Sequence, residues 1–248
     1  MIDTHIHIGQ FKDRYYDPLE VLTTVFEAGI KEAFFSSITA SDTATFTYSA
    51  IEREISEVLS ALGTSSDRAK PLLWYVPEYA KQGINIEKAF KNLPYCGFKI
   101  HPLENKWDLS DKNTVAIANE IFEYAQQNNL FVLIHTGNSG VDAANKFNDF
   151  FRKYSRVKFA LAHARPLAQA IDMLSKYPNV CVDTAFLSLE SLNEIINAGF
   201  ASRILLGSDF PVTQYFHHQI SKEWRTLKKQ YEEDAKQMKL YNEIIKRS

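Results

Sequence analysis

Eight short runs rich in Val, Ile, Phe and Leu recur along the chain, separated by stretches of helix length. They are Ile2–Ile8, Ala33–Ile38, Pro71–Val76, Cys96–His101, Leu130–His135, Val157–His163, Val180–Thr184 and Arg203–Ser208. Short, almost unbroken apolar runs are the pattern of strands buried on both faces, as parallel strands are. Helix signals lie between them. Asp17-Pro18-Leu19-Glu20 supplies an N-cap acid, a proline for the first helical position and a glutamate for a capping box, and Gly29 supplies a stop. Ile51, Ile55, Val58, Leu59 and Leu62 repeat at helical spacing up to Gly63. Further helices are expected over about 113–127, 141–154, 167–176 and 189–198, with a short one over 86–92. A long charged helix over about 217–247 places Trp224, Leu227, Tyr231, Met238, Tyr241 and Ile245 near one face. Strand and helix alternating eight times predict an α/β fold, a single (β/α)8 TIM barrel filling residues 1–248.

The length of 248 residues suits one such barrel, and 45% hydrophobic with 23% charged residues is ordinary for a chain with a sizeable core. Lys and Arg total 28 and Asp and Glu total 30, a net charge of −2 that gives no bulk attraction to nucleic acid or to an anionic membrane. No apolar run reaches membrane-spanning length, and Met1-Ile2-Asp3-Thr4-His5 has no secretory pattern. Cys96 and Cys181 fall in strands and read as small buried hydrophobes in a reducing compartment. The expectation is a cytoplasmic protein with a small-molecule partner and neither nucleic acid nor membrane. No Gly-x-Gly-x-x-Gly follows the first strand and no P-loop appears, so nucleotide-binding readings lose their main support.

Five of the seven histidines lie within or at the ends of expected strands: His5, His7, His101, His135 and His163, with Asp209 after the eighth strand. A single strand histidine is more often a satisfied core residue. Five with an aspartate, all at the C-terminal ends where barrels of this kind carry their chemistry, point to a site. His5 and His7 stand two apart on one strand, so both rings face the same way and can converge on one ion. Asp3 shares that face, either as an acceptor orienting a ligand histidine or as a solvated or helix-facing acid. Three imidazoles, with His135 the third, and the Asp209 carboxylate suit a borderline divalent ion such as zinc, leaving a place for water. Asp209 is also placed to take that water's proton.

His5-x-His7, Phe98-Lys99-Ile100-His101-Pro102, His135-Thr136-Gly137, Ala162-His163-Ala164 and Gly207-Ser208-Asp209-Phe210-Pro211, in this order, resemble the amidohydrolase superfamily. Within it the match is to the amidohydrolase-related branch that includes aminocarboxymuconate-semialdehyde decarboxylase. The resemblance implies a distorted barrel with one divalent metal at its mouth, Zn2+ foremost and Mn2+ or Fe2+ as alternatives. It makes His5, His7, His135 and Asp209 metal ligands, and gives His163 the metal-bound water or the substrate oxygen. In binuclear relatives a carboxylated lysine bridges two ions, and Lys99 stands where such a lysine sits, so a second metal stays open. The resemblance also allows a homo-oligomer. The implied activity is hydrolysis of an amide, ester or lactone by metal-bound hydroxide, with Asp209 and His163 as catalytic groups; decarboxylation on the same ligands is the alternative. A metal-dependent deoxyribonuclease would carry a Gly-Glu-Ile-Gly segment where this chain has Gly97-Phe98-Lys99-Ile100-His101, and a catalytically silent barrel would have lost a ligand.

Lys99 and His101 together could hold a substrate carboxylate, or Lys99 could pair with a buried acid such as Glu78 or Asp183. Arg165 could grip a carboxylate or phosphate bidentately, or cap a neighbouring loop. Phe11, Tyr15 and Tyr16, with Tyr215 and Phe216, suit a planar substrate, a packed lid or a subunit contact. His217 and His218 read as surface residues, and Trp74 and Trp107 as packing.

Overall fold

The computed structural model describes residues 1–138, 140–212 and 224–248, with side chains of the last segment from 228 onward. The expected aromatic loop Tyr215, Phe216, His217 and His218 lies outside the described residues, as do the side chains of Trp224 and Leu227 and the start of the helix expected from about 217.

All eight expected strands form, and one more joins them. β1 (Ile2–Phe11) turns back on the short antiparallel β2 (Arg14–Tyr16). Then follow α1 (Pro18–Glu27), β3 (Glu32–Ser37), α2 (Tyr48–Leu62), β4 (Ala69–Trp74), α3 (Pro77–Lys81), α4 (Ile86–Asn92) and β5 (Gly97–Ile100). The second half runs α5 (Lys112–Gln127), β6 (Phe131–His135), α6 (Asn148–Lys153), β7 (Lys158–Ala162), α7 (Leu167–Lys176), β8 (Val180–Asp183), α8 (Leu189–Asn197), β9 (Ile204–Leu205) and α9 (Trp224–Arg247). The sheet order is β2-β1-β3-β4-β5-β6-β7-β8-β9, with every pair from β1–β3 onward parallel. The chain after β9 returns to β1: Thr4 N–H donates to Leu206 O (2.9 Å), Asp209 N–H to His5 O (2.8 Å) and His7 N–H to Phe210 O (2.8 Å). These bonds bring the two ends of the parallel sheet together as a distorted (β/α)8 barrel.

Local chemistry explains the elements. Asp17 caps α1 through Glu20 N–H with Pro18 in the first turn, and Asp111 and Ser188 cap α5 and α8 in the same manner. The apolar faces of the helices cover the outside of the sheet. Inside the barrel, Leu72, Leu133, Ala160, Ala162 and Cys181 form a smaller plug beneath the mouth.

Three expectations shift. The strand expected over Arg203–Ser208 is regular only at Ile204–Leu205, and β7 stops at Ala162 instead of His163. His163, directly after β7, is left-handed at φ +70°, and Asp209, four residues past β9, at φ +58°. A left-handed residue ends the pleat and re-aims its own side chain, so β7 stops before His163, whereas the chain after β9 leaves the pleat before it reaches Asp209. The helix expected over 141–154 is shorter, a 3-10 turn at Ala144–Phe147 followed by α6. Before the helix starts, Gly137 N–H donates to Asp142 O.

Candidate metal centre and active site

β1 brings His5 and His7 to the barrel mouth, both buried. Asp209 arrives from the segment that closes the barrel. His5 Nε2 lies 3.1 Å from His7 Nε2, and Asp209 Oδ1 lies 3.2 Å from the first and 2.9 Å from the second. Ligand atoms about 2.1 Å from one ion lie about 3.0 Å apart when they subtend a right angle. The three edges thus suit three ligands on one face of an octahedral ion, and the donor set is right for a divalent cation.

The remaining ring nitrogens are fixed from behind. His5 Nδ1 lies 2.7 Å from Asp183 Oδ2, at the end of β8, and a carboxylate accepts only from N–H. The proton therefore sits on Nδ1 and the Nε2 lone pair faces the other two ligands. Asp183 Oδ1 accepts the backbone N–H groups of His163 (2.8 Å) and Ala185 (3.1 Å), so one buried acid holds parts of β1, β7 and β8. His7 Nδ1 is 3.1 Å from Ser36 Oγ, a hydroxyl able to donate or accept. Gly207 makes this packing possible, because a Cβ there would lie 3.0 Å from His5 Cβ and 3.2 Å from Asp183 Cβ.

His163 has a ring nitrogen within 4.8 Å of donor atoms of both His5 and Asp209. His135 stands one ring further out, its Nδ1 3.2 Å from His163 Nε2 and its Nε2 3.7 Å from Asp142 Oδ2. Lys99 is buried with Nζ 2.9 Å from His5 Nε2, in contact with the ligand triangle. One lone pair on His5 serves either the lysine or an ion, not both. Burial pushes the Lys99 amine down to about 8, opposed by the charges of Asp209 and Asp183. Burial likewise pushes Asp183 up to about 7, opposed by its hydrogen bonds and by Lys99.

A cavity of about 580 Å³ opens above these groups. Trp74, His101 and His135 form a ladder of near-parallel rings along it, with centroids 5.7 Å and 3.7 Å apart. The Arg165 guanidinium lies 5.2 Å from the Phe186 ring centre, and among the described residues no carboxylate forms an ion pair with it. His7, Lys99, His101, His135, His163, Arg165 and Asp209 line this cavity with Phe11, and His5 stands in the triangle beneath it. Tyr15 lies instead in a separate surface pocket, and Tyr16 is buried in the core. Glu78 pairs with Lys81 (3.0 Å), not with Lys99.

Asp3 does not orient the His5 ring. Its Oδ1 accepts the backbone N–H groups of His5 and Ser208 (both 3.1 Å), and its Oδ2 accepts the Tyr231 hydroxyl (2.9 Å). The pairing of β1 with β3 slips by one residue between Asp3 and Ile6, which breaks the alternation that would put Asp3 and His5 on one face. Asp183 does the orienting instead, and Trp74 belongs to the cavity wall.

Burial drives the pKa of His5, His7, His101, His135 and His163 well below 6.5, so all five rings are neutral in the folded chain. The unfolded chain takes up these protons as pH falls through 6.5, and the folded chain does not. Asp3, Glu54, Asp183 and Asp209, all raised by burial, act in the opposite sense as the folded chain protonates them above their ordinary values. Five outnumber four, leaving about one more proton on the unfolded chain, or about 1.4 kcal/mol per pH unit. The chelated protein should melt at least about 5 °C lower at pH 5.5 than at pH 7.5 in calorimetry. A flat or rising midpoint would contradict five neutral buried imidazoles.

A family model described as amidohydrolase matches residues 2–241. No curated protein matches the sequence. Among solved structures, a probable 2-pyrone-4,6-dicarboxylic acid hydrolase from Acinetobacter baumannii, with citric acid bound, superposes with a TM-score of 0.58 at 12% identity, covering 97% of this chain and 94% of that one. A 4-oxalomesaconate hydratase from Rhodopseudomonas palustris gives 0.56 at 16% identity over 100% and 98%. A 5-carboxyvanillate decarboxylase from Novosphingobium aromaticivorans, complexed with manganese, gives 0.52 at 14% identity over 83% and 76%. At these identities the likeness is one of fold.

Proposed function

The chain belongs to the amidohydrolase family, and on that premise we propose that it is a divalent-metal-dependent hydrolase of small molecules carrying a carboxylate beside an amide, ester or lactone bond. The observation that carries the reading is the triangle of His5 Nε2, His7 Nε2 and Asp209 Oδ1, with edges of 2.9–3.2 Å and the His5 proton held away from it by Asp183. His5, His7 and Asp209 would hold the ion. His135, the fourth ligand that the resemblance implies, stands behind His163, the imidazole nearer to His5 and Asp209. Zinc, manganese and iron all suit such donors. When bound, the ion would lower the pKa of a water and polarise the scissile carbonyl.

This chain's own groups then have separable tasks. The Asp209 carboxylate takes the proton of the attacking water and passes it to the leaving group. His163, beside Asp209, donates toward the oxygen that gains charge in the transition state. Arg165 grips the substrate carboxylate, and the Trp74–His101 ladder with Phe186 flanks a flat substrate and keeps water from it. All three of the related structures bear names of carboxylate chemistry, which supports the anionic substrate class.

The test is turnover of a panel of lactones, amides and carboxylated aromatics by metal-loaded and chelated protein, following acid release and carbon dioxide separately. Acid release that stops on chelation supports hydrolysis. Carbon dioxide release without acid moves the assignment to the decarboxylase reading, and metal-independent turnover ends both. With a substrate in hand, Arg165→Met is expected to raise KM about thirtyfold and change kcat by less than about threefold, since the carboxylate is gripped equally in ground and transition states. A fall in kcat with an unchanged KM would place Arg165 outside substrate binding.

A further inference from the structure

We propose that Tyr231, on α9, is a positioning residue for the metal centre, acting through Asp3 on the two chain segments that carry the ligands. The proposal rests on the metal-centre reading above.

The ligand triangle joins β1 to a segment about two hundred residues later, and Asp3 ties those segments together. Its Oδ1 accepts the N–H of His5 and the N–H of Ser208, the residue before Asp209. The other oxygen, Oδ2, faces outward and accepts the Tyr231 hydroxyl at 2.9 Å. Tyr231 is fully buried, and its ring packs on Phe210, the residue after Asp209, with centroids 4.6 Å apart. One side chain thus bears on both sides of Asp209 and, through one carboxylate, on the backbone of His5.

That grip matters because Asp209 is left-handed, at φ +58°. A residue with a Cβ holds such a conformation only where its surroundings over-determine it. The restraints are the Asp209 N–H on His5 O, the Ser208 N–H on Asp3 and the Phe210 N–H on Ser208 Oγ (3.1 Å). Without the Tyr231 hydroxyl, the buried Asp3 carboxylate loses one of its two hydroxyl donors and keeps that of Ser208, and it gains freedom to rotate away from the two N–H groups. The triangle then loosens without losing any ligand.

Tyr241 supplies the matched control. It lies on the same helix, is equally buried, and its hydroxyl donates to Leu187 O (2.9 Å), with no link to the ligands. The experiment compares wild type, Tyr231→Phe and Tyr241→Phe. Zn2+ affinity is read by chelator competition, the Co2+-loaded absorption spectrum is recorded, and apo melting is measured in parallel. Tyr231→Phe is expected to weaken Zn2+ about tenfold and shift the Co2+ bands, the low end of what supporting hydrogen bonds to ligands contribute. Tyr241→Phe is expected to lower the apo midpoint alone. Wild-type metal uptake with an unchanged affinity and spectrum in Tyr231→Phe overturns this proposal alone. A wild-type protein that takes up neither ion overturns the metal-centre reading as well.

Discussion

His7→Ala is expected to abolish stoichiometric metal binding and to lower turnover at least about a thousandfold, while the chain folds as before. His7 is a sharper probe than His5. The His5 ring is bonded to both Asp183 and Lys99, so its loss would leave two buried charged groups without their partner. His7 Nδ1 has one partner, Ser36, whose hydroxyl can turn elsewhere, and its Nε2 faces the triangle. Removing it takes away one of three preassembled donors, and a metal's contribution to charge stabilisation is several kcal/mol. A loss of about 4 kcal/mol corresponds to the thousandfold fall. Elemental analysis of protein purified with added Zn2+ gives the first readout, circular dichroism checks the fold, and turnover follows once the panel has supplied a substrate. An alanine variant that keeps about one ion per chain and the wild-type rate would remove His7 from the ligand set.

The parts legible in the sequence are those written in periodicity. Eight apolar runs give the parallel strands, and His5-Ile6-His7 states by spacing alone that two rings share a face. Asp209 is legible because it directly follows the eighth apolar run, at the strand ends where barrels of this kind carry their chemistry. From the sequence, Asp183 reads only as a candidate ion partner of Lys99. It ends a strand as Val180-Cys181-Val182-Asp183, like any solvated acid, and its task appears only when Gly207 lets β8 approach β1. The spacing puts Asp3 on the face of His5, and this fails because a bulge is a property of the pairing and leaves no mark on the strand's own pattern. Of its two readings, the helix-facing acid is the one the structure bears out. The ladder of Trp74, His101 and His135 joins three strands, and no single run contains it. The nearness of His163 to His5 and Asp209, with His135 behind it, depends on left-handed turns that the residue types Ala162-His163-Ala164 do not announce.

Asp183→Asn, a change of one atom type, is expected to weaken metal binding about a hundredfold. Asp183 Oδ1 accepts two backbone N–H groups, from His163 and Ala185, and these can be satisfied only by an oxygen. The asparagine carbonyl therefore stays on them, which leaves the amide nitrogen facing His5 Nδ1 where Oδ2 stood at 2.7 Å. An amide nitrogen donates, so Nδ1 must become the acceptor and the imidazole proton moves to Nε2, the atom that faces His7 and Asp209. The ring keeps its place and loses its lone pair toward the ion. Supporting partners of metal-bound histidines contribute about ten- to a hundredfold in affinity, and the upper end applies because the change inverts the tautomer. Two measurements separate this from a general loosening of the barrel. Chelator competition gives the Zn2+ affinity, and the imidazole 15N shifts of chelated protein report which nitrogen carries the proton. Asp142→Asn is the comparison, since its carboxylate stands 3.7 Å from His135 Nε2, beyond hydrogen-bond reach, and a loss of less than about fivefold is expected there. Wild-type affinity in Asp183→Asn with the proton still on Nδ1 would mean that the ring is held by packing against Gly207 and its neighbours, and that the buried carboxylate serves only the turns after β7 and β8.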